Sequence, residues 1–180
     1  MTRRLRSEEL TDRDRASLRE LFDDAWPAEE DRFNAEDWDH TFGGVHFLVR
    51  DEVGGIVSHA SVVPRELRTG DVVMNTGYVE GVATRTTHRH RGLGTAVMRA
   101  AGEHIDATYA FGALGTGVHA FYERLGWTTW RGPTAVRTDE GEIPTPGEDG
   151  FVMVRFTPTT PAGLDLEATI SCDQRPGDAW

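Results

Sequence analysis

Between Val79 and Ala101 the chain passes from an extended run through a basic glycine turn into a helical pattern, and this succession constrains the fold more than any other segment. The turn reads His88-Arg89-His90-Arg91-Gly92-Leu93-Gly94-Thr95, with an Arg-x-x-Gly-x-Gly spacing on Arg89, Gly92 and Gly94. From Gly92 onward, Leu93, Ala96, Val97, Ala100, Ala101 and His104 recur at helical spacing, with alanines small enough for close packing on a sheet. Glycines ahead of a helix let backbone N–H groups converge on an anion, and the helix N-terminus adds positive potential. Arg89 and Arg91 contribute charge, so the turn suits a pyrophosphate. It is not a P-loop, because Gly-x-x-x-x-Gly-Lys-Ser/Thr is absent, and the first glycine of a dinucleotide fingerprint is missing. Taken alone, such a turn is equally compatible with ordinary loop and cap chemistry.

The surrounding pattern supplies a context. Leu18, Leu21, Phe22 and Ala25 recur at helical spacing after Asp12 and Asp14, and Trp26-Pro27 closes this amphipathic helix. Asn34 caps a shorter helix over Ala35–His40, ended by Thr41 and Gly43-Gly44. Residues 45–49 and 56–63 read as strands joined by turn-forming residues 51–55, an antiparallel hairpin. A further extended stretch runs over residues 71–74 and on through 77–83. Beyond the glycine turn, residues 109–114 read as a strand, and Val118, Phe121, Tyr122 and Leu125 define a helix that Gly126 ends. Residues 127–136 and 151–156 read as strands, with 138–150 an acidic, turn-rich surface loop able to approach a substrate.

At 180 residues, with no tract that divides it, the chain is expected to form one domain. Its basic start lacks an apolar core and no window reaches a membrane span of roughly 18 apolar residues, so a cytoplasmic protein without membrane association is expected. The single cysteine, Cys172, excludes an intramolecular disulfide framework and a multi-cysteine metal site. A net charge of -11 disfavours nucleic acid and is compatible with a cationic small substrate. His40, His46, His59, His88, His90, His104 and His119 show no metal-ligand spacing and read as surface or hydrogen-bonded core residues; no metal is expected. Trp38, Trp127 and Trp130 read as core anchors.

With Ala120-Phe121-Tyr122-Glu123-Arg124-Leu125-Gly126-Trp127 following the turn, helix and strand, the chain resembles the GNAT acyltransferase superfamily. That resemblance implies an α/β (α+β) fold, a single GNAT-type domain over residues 1–180 whose central mixed, mostly antiparallel sheet of about seven strands is flanked by about four helices. It implies acetyl-CoA as co-substrate, bound by backbone groups of Val82, Ala83 and Thr84 and by Arg89, His90, Arg91, Gly92, Leu93, Gly94 and Thr95. It also implies that Tyr122 lies near the thioester sulfur.

Four more segments resemble one branch of that superfamily, the aminoglycoside 2'-N-acetyltransferases. They are Asp37-Trp38-Asp39-His40-Thr41-Phe42-Gly43-Gly44-Val45-His46, Gly77-Tyr78-Val79-Glu80-Gly81-Val82, Gly126-Trp127-Thr128-Thr129-Trp130-Arg131-Gly132-Pro133-Thr134, and Cys172-Asp173-Gln174-Arg175-Pro176-Gly177-Asp178-Ala179-Trp180. The resemblance implies acceptor contacts from Asp37, Glu80, Gly81, Gly115, Glu148, Asp178 and Trp180, and a homodimer. The chain departs from the branch in carrying Gly115-Thr116-Gly117 where serines are common, and Gln174 where an aromatic is common. A carboxylate-lined cleft suits a polycationic, hydroxyl-rich acceptor through charge-assisted hydrogen bonds.

Acyl transfer to an amine needs a neutral amine, a polarised carbonyl and a stabilised leaving thiolate. The corresponding expectations are Glu80 as proton acceptor, Val82 N–H at the carbonyl and Tyr122 as proton donor, with no covalent enzyme intermediate. From the residues alone, Glu80 reads as an exposed strand carboxylate and Tyr122 as a core aromatic, while Asp37 fits a first-turn helix carboxylate as well as an acceptor contact. Two other readings stay open: acetylation of another amine (polyamine, amino sugar or protein amine) and a non-catalytic acyl-CoA sensor.

Overall fold

The computed structural model describes residues 1–28 and 33–180. They cluster into two compact units, Met1–Val63 with Val79–Ala101 and Pro64–Tyr78 with Gly102–Trp180. Among the described residues there are four α-helices and a mixed set of strands, the α/β class that the sequence implies.

The first unit contains β1 (Arg3–Arg6), α1 (Asp12–Ala25), α2 (Ala35–His40), β2 (Val45–Arg50), the first part of β3 (Ile56–Thr69), the last part of β4 (Val72–Thr84) and the start of α3 (Leu93–Thr108). Thr11 opens α1 through a capping box, its hydroxyl accepting from Asp14 N–H while the Asp14 carboxylate accepts from Thr11 N–H. Burial alone would raise the Asp14 pKa, but bonds from Arg50 at 2.6 Å and from Thr11 hold it below the usual carboxylate range. The apolar stripe buries Leu18, Leu21 and Phe22 with Trp38, Leu48, Ile56 and Ala83 in one cluster, as the helical spacing predicts. Strands β1, β2 and β3 pair antiparallel, with Arg3 opposite Leu48 and Val45 opposite Val62. Every residue of β3 from Ile56 to Val63 is buried, so this strand is covered on both faces.

In the second unit the strand order is β6–β9–β5–β4–β3–β10–β7–β8, with β3 and β4 contributing residues 64–69 and 72–78. The remaining elements are β5 (Phe111–Gly115), α4 (His119–Glu123), β6 (Thr128–Thr129), β7 (Thr134–Thr138), β8 (Gly141–Pro144), β9 (Val152–Phe156) and β10 (Ile170–Asp173). Strand β5 is parallel to β4, Thr76 facing Phe111 and Tyr78 facing Ala113, and β10 is parallel to β7. The pairs β5–β9, β6–β9, β7–β8 and β3–β10 are antiparallel.

Three local expectations change. Residues 127–136 form two strands, because Trp130 is fully buried with its indole N–H on Ala168 O, and the Arg131 and Gly132 amides turn to Leu166 O. A Cβ on Gly132 would lie 2.0 Å from Ala168 O, so the chain crosses there at glycine distance. The stretch 138–150 contains β8, paired with β7 from Thr138–Gly141 to Ala135–Pro144, rather than loop alone. Strands β1 and β10 carry too few residues for alternation to reveal them, and with the short β6 and β8 they raise the number of strands to ten among the described residues.

Candidate active site

In the first unit the glycine turn lies between a 3₁₀ turn at Thr86–His88 and α3. Its base is anchored to α1, since Asp24 accepts from Thr86 N–H at 2.6 Å and from the Thr86 hydroxyl at 2.9 Å. These bonds, opposed by slight burial, hold the Asp24 carboxyl below its ordinary pKa. Two residues of the turn adopt left-handed backbone, His90 at φ 62° and Gly92 at φ 75°. Left-handed residues at such spacing let successive N–H groups face one concavity, and the first turn of a helix leaves its amides without intrahelical partners. A Cβ built on Gly92 meets no atom within 4 Å, so the glycine leaves open space where a phosphate can approach the backbone. Arg89 and Arg91 are exposed and bond back to Thr84 O and Thr87 O. These residues fit the pyrophosphate of a coenzyme A thioester: backbone donors, open glycine space and two guanidinium groups.

Val82, Ala83 and Thr84 form the end of β4 leading into this turn. Ser58 braces them, its hydroxyl within 3.2 Å of Ala83 O and 2.9 Å of Thr84 Oγ1. Glu80 is half-buried on the same strand, and its carbonyl accepts from Ser61 Oγ. Gly81 is left-handed at φ 56°, and a Cβ there would sit 2.9 Å from Thr41 Cγ2 and 3.0 Å from Phe22 Cζ. Only glycine fits both the backbone and the space. Asp37 closes the α2 capping box, its carboxylate accepting from Asn34 N–H at 3.0 Å. The first-turn role weighed for Asp37 in the sequence is therefore present in the fold.

In the second unit Tyr122 lies on α4, only 8% exposed, with Phe121 and Trp127 edge-on to its ring. Burial pushes its pKa up to about 12 against a smaller lowering by a hydrogen bond with Thr116. The phenol is thus protonated at any working pH, the state a proton donor needs.

The same unit gathers Gly115, Glu148, Asp178 and Trp180. A Cβ on Gly115 would lie 3.8 Å from the Trp180 carbonyl carbon and 3.5 Å from Tyr78 Oη. Trp180 is buried, donating from its indole to Thr145 Oγ1 at 3.0 Å and from its backbone to Asp178 Oδ1 at 3.1 Å. Arg65, 7% exposed, clamps this segment through Ala179 O, Asp173 O and Asp173 Oδ1, and Arg175 bonds Asp178 O and Trp180 O. Both guanidinium groups lie over the Tyr78 ring. Burial, then the Asp178 charge, raises the Glu148 pKa. Its neighbour Asp149 is engaged instead by the Thr134 N–H and hydroxyl. The expected residues therefore divide, with the coenzyme turn, Asp37, Glu80 and Gly81 in one unit and Gly115, Tyr122, Glu148, Asp178 and Trp180 in the other.

Sequence reading assigned no role to Arg65, Arg175, Tyr78 or Ser7, and gave His46 and His59 only as surface or hydrogen-bonded core residues. His46 and His59 are fully buried, the hydrogen-bonded core option rather than the surface one. Register on the 45–63 hairpin was the available signal, since β2–β3 pairing places Leu48 opposite His59 and His46 opposite Ser61. Among the described residues, no group of three or more His, Cys, Asp and Glu is arranged to hold a metal, and no helix is long and apolar enough to cross a membrane.

Within the first unit, strand β4 thus runs into a left-handed, glycine-containing turn at the start of α3, an arrangement suited to a phosphate-bearing ligand. The acetyltransferase (GNAT) domain family matches residues 6–130, and the chain belongs to this family of acetyltransferases. It is 39% identical over 155 residues to an aminoglycoside 2'-N-acetyltransferase of Mycolicibacterium fortuitum, covering 84% of this chain and 78% of that protein. A GNAT family N-acetyltransferase (YhbS) of Escherichia coli, solved in complex with CoA, shares the fold at TM-score 0.65 and 13% identity over 96% of this chain and 88% of that one. A GCN5-related N-acetyltransferase of Kribbella flavida matches at TM-score 0.54 and 20% identity over 74% of this chain; the chain spans 35% of that longer protein.

Proposed function

We propose that this acetyltransferase transfers the acetyl group of acetyl-CoA directly to the 2'-amine of an aminoglycoside. The observation that carries the reading is the 39% identity, over 84% of the chain, to the Mycolicibacterium fortuitum enzyme of that name. The cluster of Glu148 and Asp178 beside Trp180 supports it, because two neighbouring carboxylates, Glu148 partly buried and Asp178 exposed, attract and orient a polycation.

Bound acetyl-CoA supplies an activated thioester. The protein's own groups do the rest. Backbone N–H groups around Gly92, with Arg89 and Arg91, hold the pyrophosphate, and Val82 N–H faces the acyl carbonyl. Glu80 takes the proton that the amine loses, directly or through water, and Tyr122 gives its phenolic proton to the departing sulfur. The two units act as one domain, in a cytoplasmic homodimer that binds neither nucleic acid nor membrane; the net charge of -11 supports the exclusion of nucleic acid.

The test is release of coenzyme A thiol across a panel of aminoglycosides, polyamines, amino sugars and protein amines, with the acetylated nitrogen mapped by NMR. Preferential modification of a 2'-amine is expected. Faster turnover of another amine class would overturn the acceptor, and acyl-CoA binding without turnover of any amine would make the protein a sensor.

A further inference from the structure

A chain of hydrogen bonds crosses the interior of the first unit and ends on Gly81. His59 Nδ1 lies 2.7 Å from Gly81 O, His46 Nδ1 lies 2.9 Å from His59 Nε2, and Ser7 Oγ lies 2.9 Å from His46 Nε2. Both imidazoles are fully buried. The carbonyl at the end of the chain sets the direction of the protons on both imidazoles. The Gly81 carbonyl can only accept, so His59 carries its proton on Nδ1. A neutral ring then presents bare Nε2, which accepts from His46 Nδ1–H, and bare His46 Nε2 in turn faces the Ser7 hydroxyl, whose one proton is shared with Gly44 O at 3.1 Å. Gly43 and Gly44 amides donate to Ser7 Oγ at 3.0 and 3.2 Å, while Gly44 O receives Ser7 N–H at 3.0 Å. Burial, then His59 and Arg15, depress the His46 pKa to about 3, and burial depresses that of His59 to about 4 against the raising effect of the bond to Gly81.

The peptide after Gly81 is trans, like every described peptide bond, so its C=O and the N–H of Val82 point in opposite directions. Fixing Gly81 O onto His59 therefore aims Val82 N–H away from the buried histidines. The left-handed backbone of Gly81 gives this peptide an orientation that regular strand would not supply. Hydrogen bonding to the carbonyl also polarises the amide and strengthens its N–H as a donor, and each link polarises the next.

We propose that His59, backed by His46 and Ser7, is a positioning residue for acyl transfer: it orients and polarises the Gly81–Val82 peptide so that Val82 N–H serves as the donor to the thioester carbonyl. The inference rests on the role given to Val82 under Proposed function. It does not depend on which amine is the acceptor.

The substitutions that test it are His59→Phe, which keeps ring volume and removes the donor, and His59→Asn, whose side-chain amide can reach Gly81 O but not His46. Loss of an oxyanion donor costs about 10²–10³ in kcat, so a misaimed one in His59→Phe is expected to cost about 10–100-fold, with the Kd for coenzyme A changed less than about threefold. His59→Asn is expected to recover most of that loss. Wild-type kcat in folded His59→Phe overturns the proposal, as does His59→Asn impaired to the same degree, which would make packing the cause. Should His59→Phe not fold, His46→Phe cuts the relay one link out, where a fall in kcat at constant coenzyme A affinity supports the proposal and an unchanged kcat overturns the relay. ¹⁵N NMR of the resting protein reads the same question without substrate. Both histidines are expected neutral with the proton on Nδ1 between pH 5 and 8, and an Nε2–H tautomer at His59 overturns the inference. If no aminoglycoside is acetylated, the acceptor reading falls while the tautomers still decide this one; kcat is then taken with whichever amine the panel shows to react.

Discussion

The coenzyme turn and the cluster around Trp180 are built in opposite ways. The turn, residues 88–95, is nearly all backbone: left-handed His90 and Gly92, the first amides of α3, and arginines that bond to carbonyls four or five residues away. The Trp180 cluster is side chains from distant parts of the chain. Arg65 reaches Ala179 across 114 residues and Trp180 reaches Thr145 across 35. On the proposed function, local backbone geometry suits a donor whose pyrophosphate is constant, whereas assembled side chains are free to diversify around an acceptor.

That contrast can be broken by experiment. The largest effect is expected at neither region but at Tyr122, where Tyr122→Phe should lower kcat by about 10²–10⁴ in single-turnover assays and leave both KM values near wild type. Unchanged turnover and pH dependence would remove the proton-donor role. Next comes Gly92→Glu, which forces a side chain and a negative charge into the open face of the turn. Coenzyme A affinity by calorimetry should fall at least about 100-fold, while the left-handed backbone costs about 1–2 kcal/mol of stability. Acceptor binding should be spared. Arg65→Ala, the mirror experiment, should raise the acceptor KM by about tenfold and spare coenzyme A, because losing a buried charged hydrogen-bonding group costs about 1.5–3 kcal/mol per bond and loosens the residues 173–180. If each substitution disturbed both ligands equally, the comparison would fail.

A smaller effect concerns pH. The folded pKa values of His46, about 3, and His59, about 4, lie below the ordinary 6.5. Between pH 6.5 and 4 the unfolded chain binds protons that the native pair refuses, so stability is complete above pH 6.5 and is lost as pH falls, with a slope up to about 1.4 kcal/mol per pH unit for each histidine. Thermal unfolding between pH 7 and 5 should show the loss, and His59→Asn should flatten it. The smallest expected change is Glu148→Gln, a severalfold rise in acceptor KM with no effect on coenzyme A. Glu148 is only partly buried and Asp178 remains beside it.

Much of the scaffold was legible because its determinants are local. Asn34 marks the start of α2, and the stripe Leu18–Leu21–Phe22 on α1 is the face that packs. The split at Trp130–Pro133 was not, since the run keeps its β-forming composition while Gly132 is pressed against Ala168 O from 36 residues on. Strand β10 was missed for a related reason: Ile170–Asp173 is a strand by virtue of neighbours β3 and β7, not of a pattern of its own.

By itself, the order of residues from Val79 to Ala101 determined a strand, a left-handed glycine turn and a helix start, because glycines and a helix start act through backbone geometry that neighbouring residues control. The same segment placed Glu80 on its strand, and the spacing of Val118, Phe121, Tyr122 and Leu125 placed Tyr122 on its helix. Tertiary structure alone decided that His46 and His59 form one neutral chain onto Gly81, that Arg65 holds the segment bearing Asp178 and Trp180, and that Glu148 feels the Asp178 charge while Asp149 is bonded by Thr134. Those arrangements depend on which distant side chains meet in the absence of water. Strand register and burial set that, and spacing along the chain does not encode it.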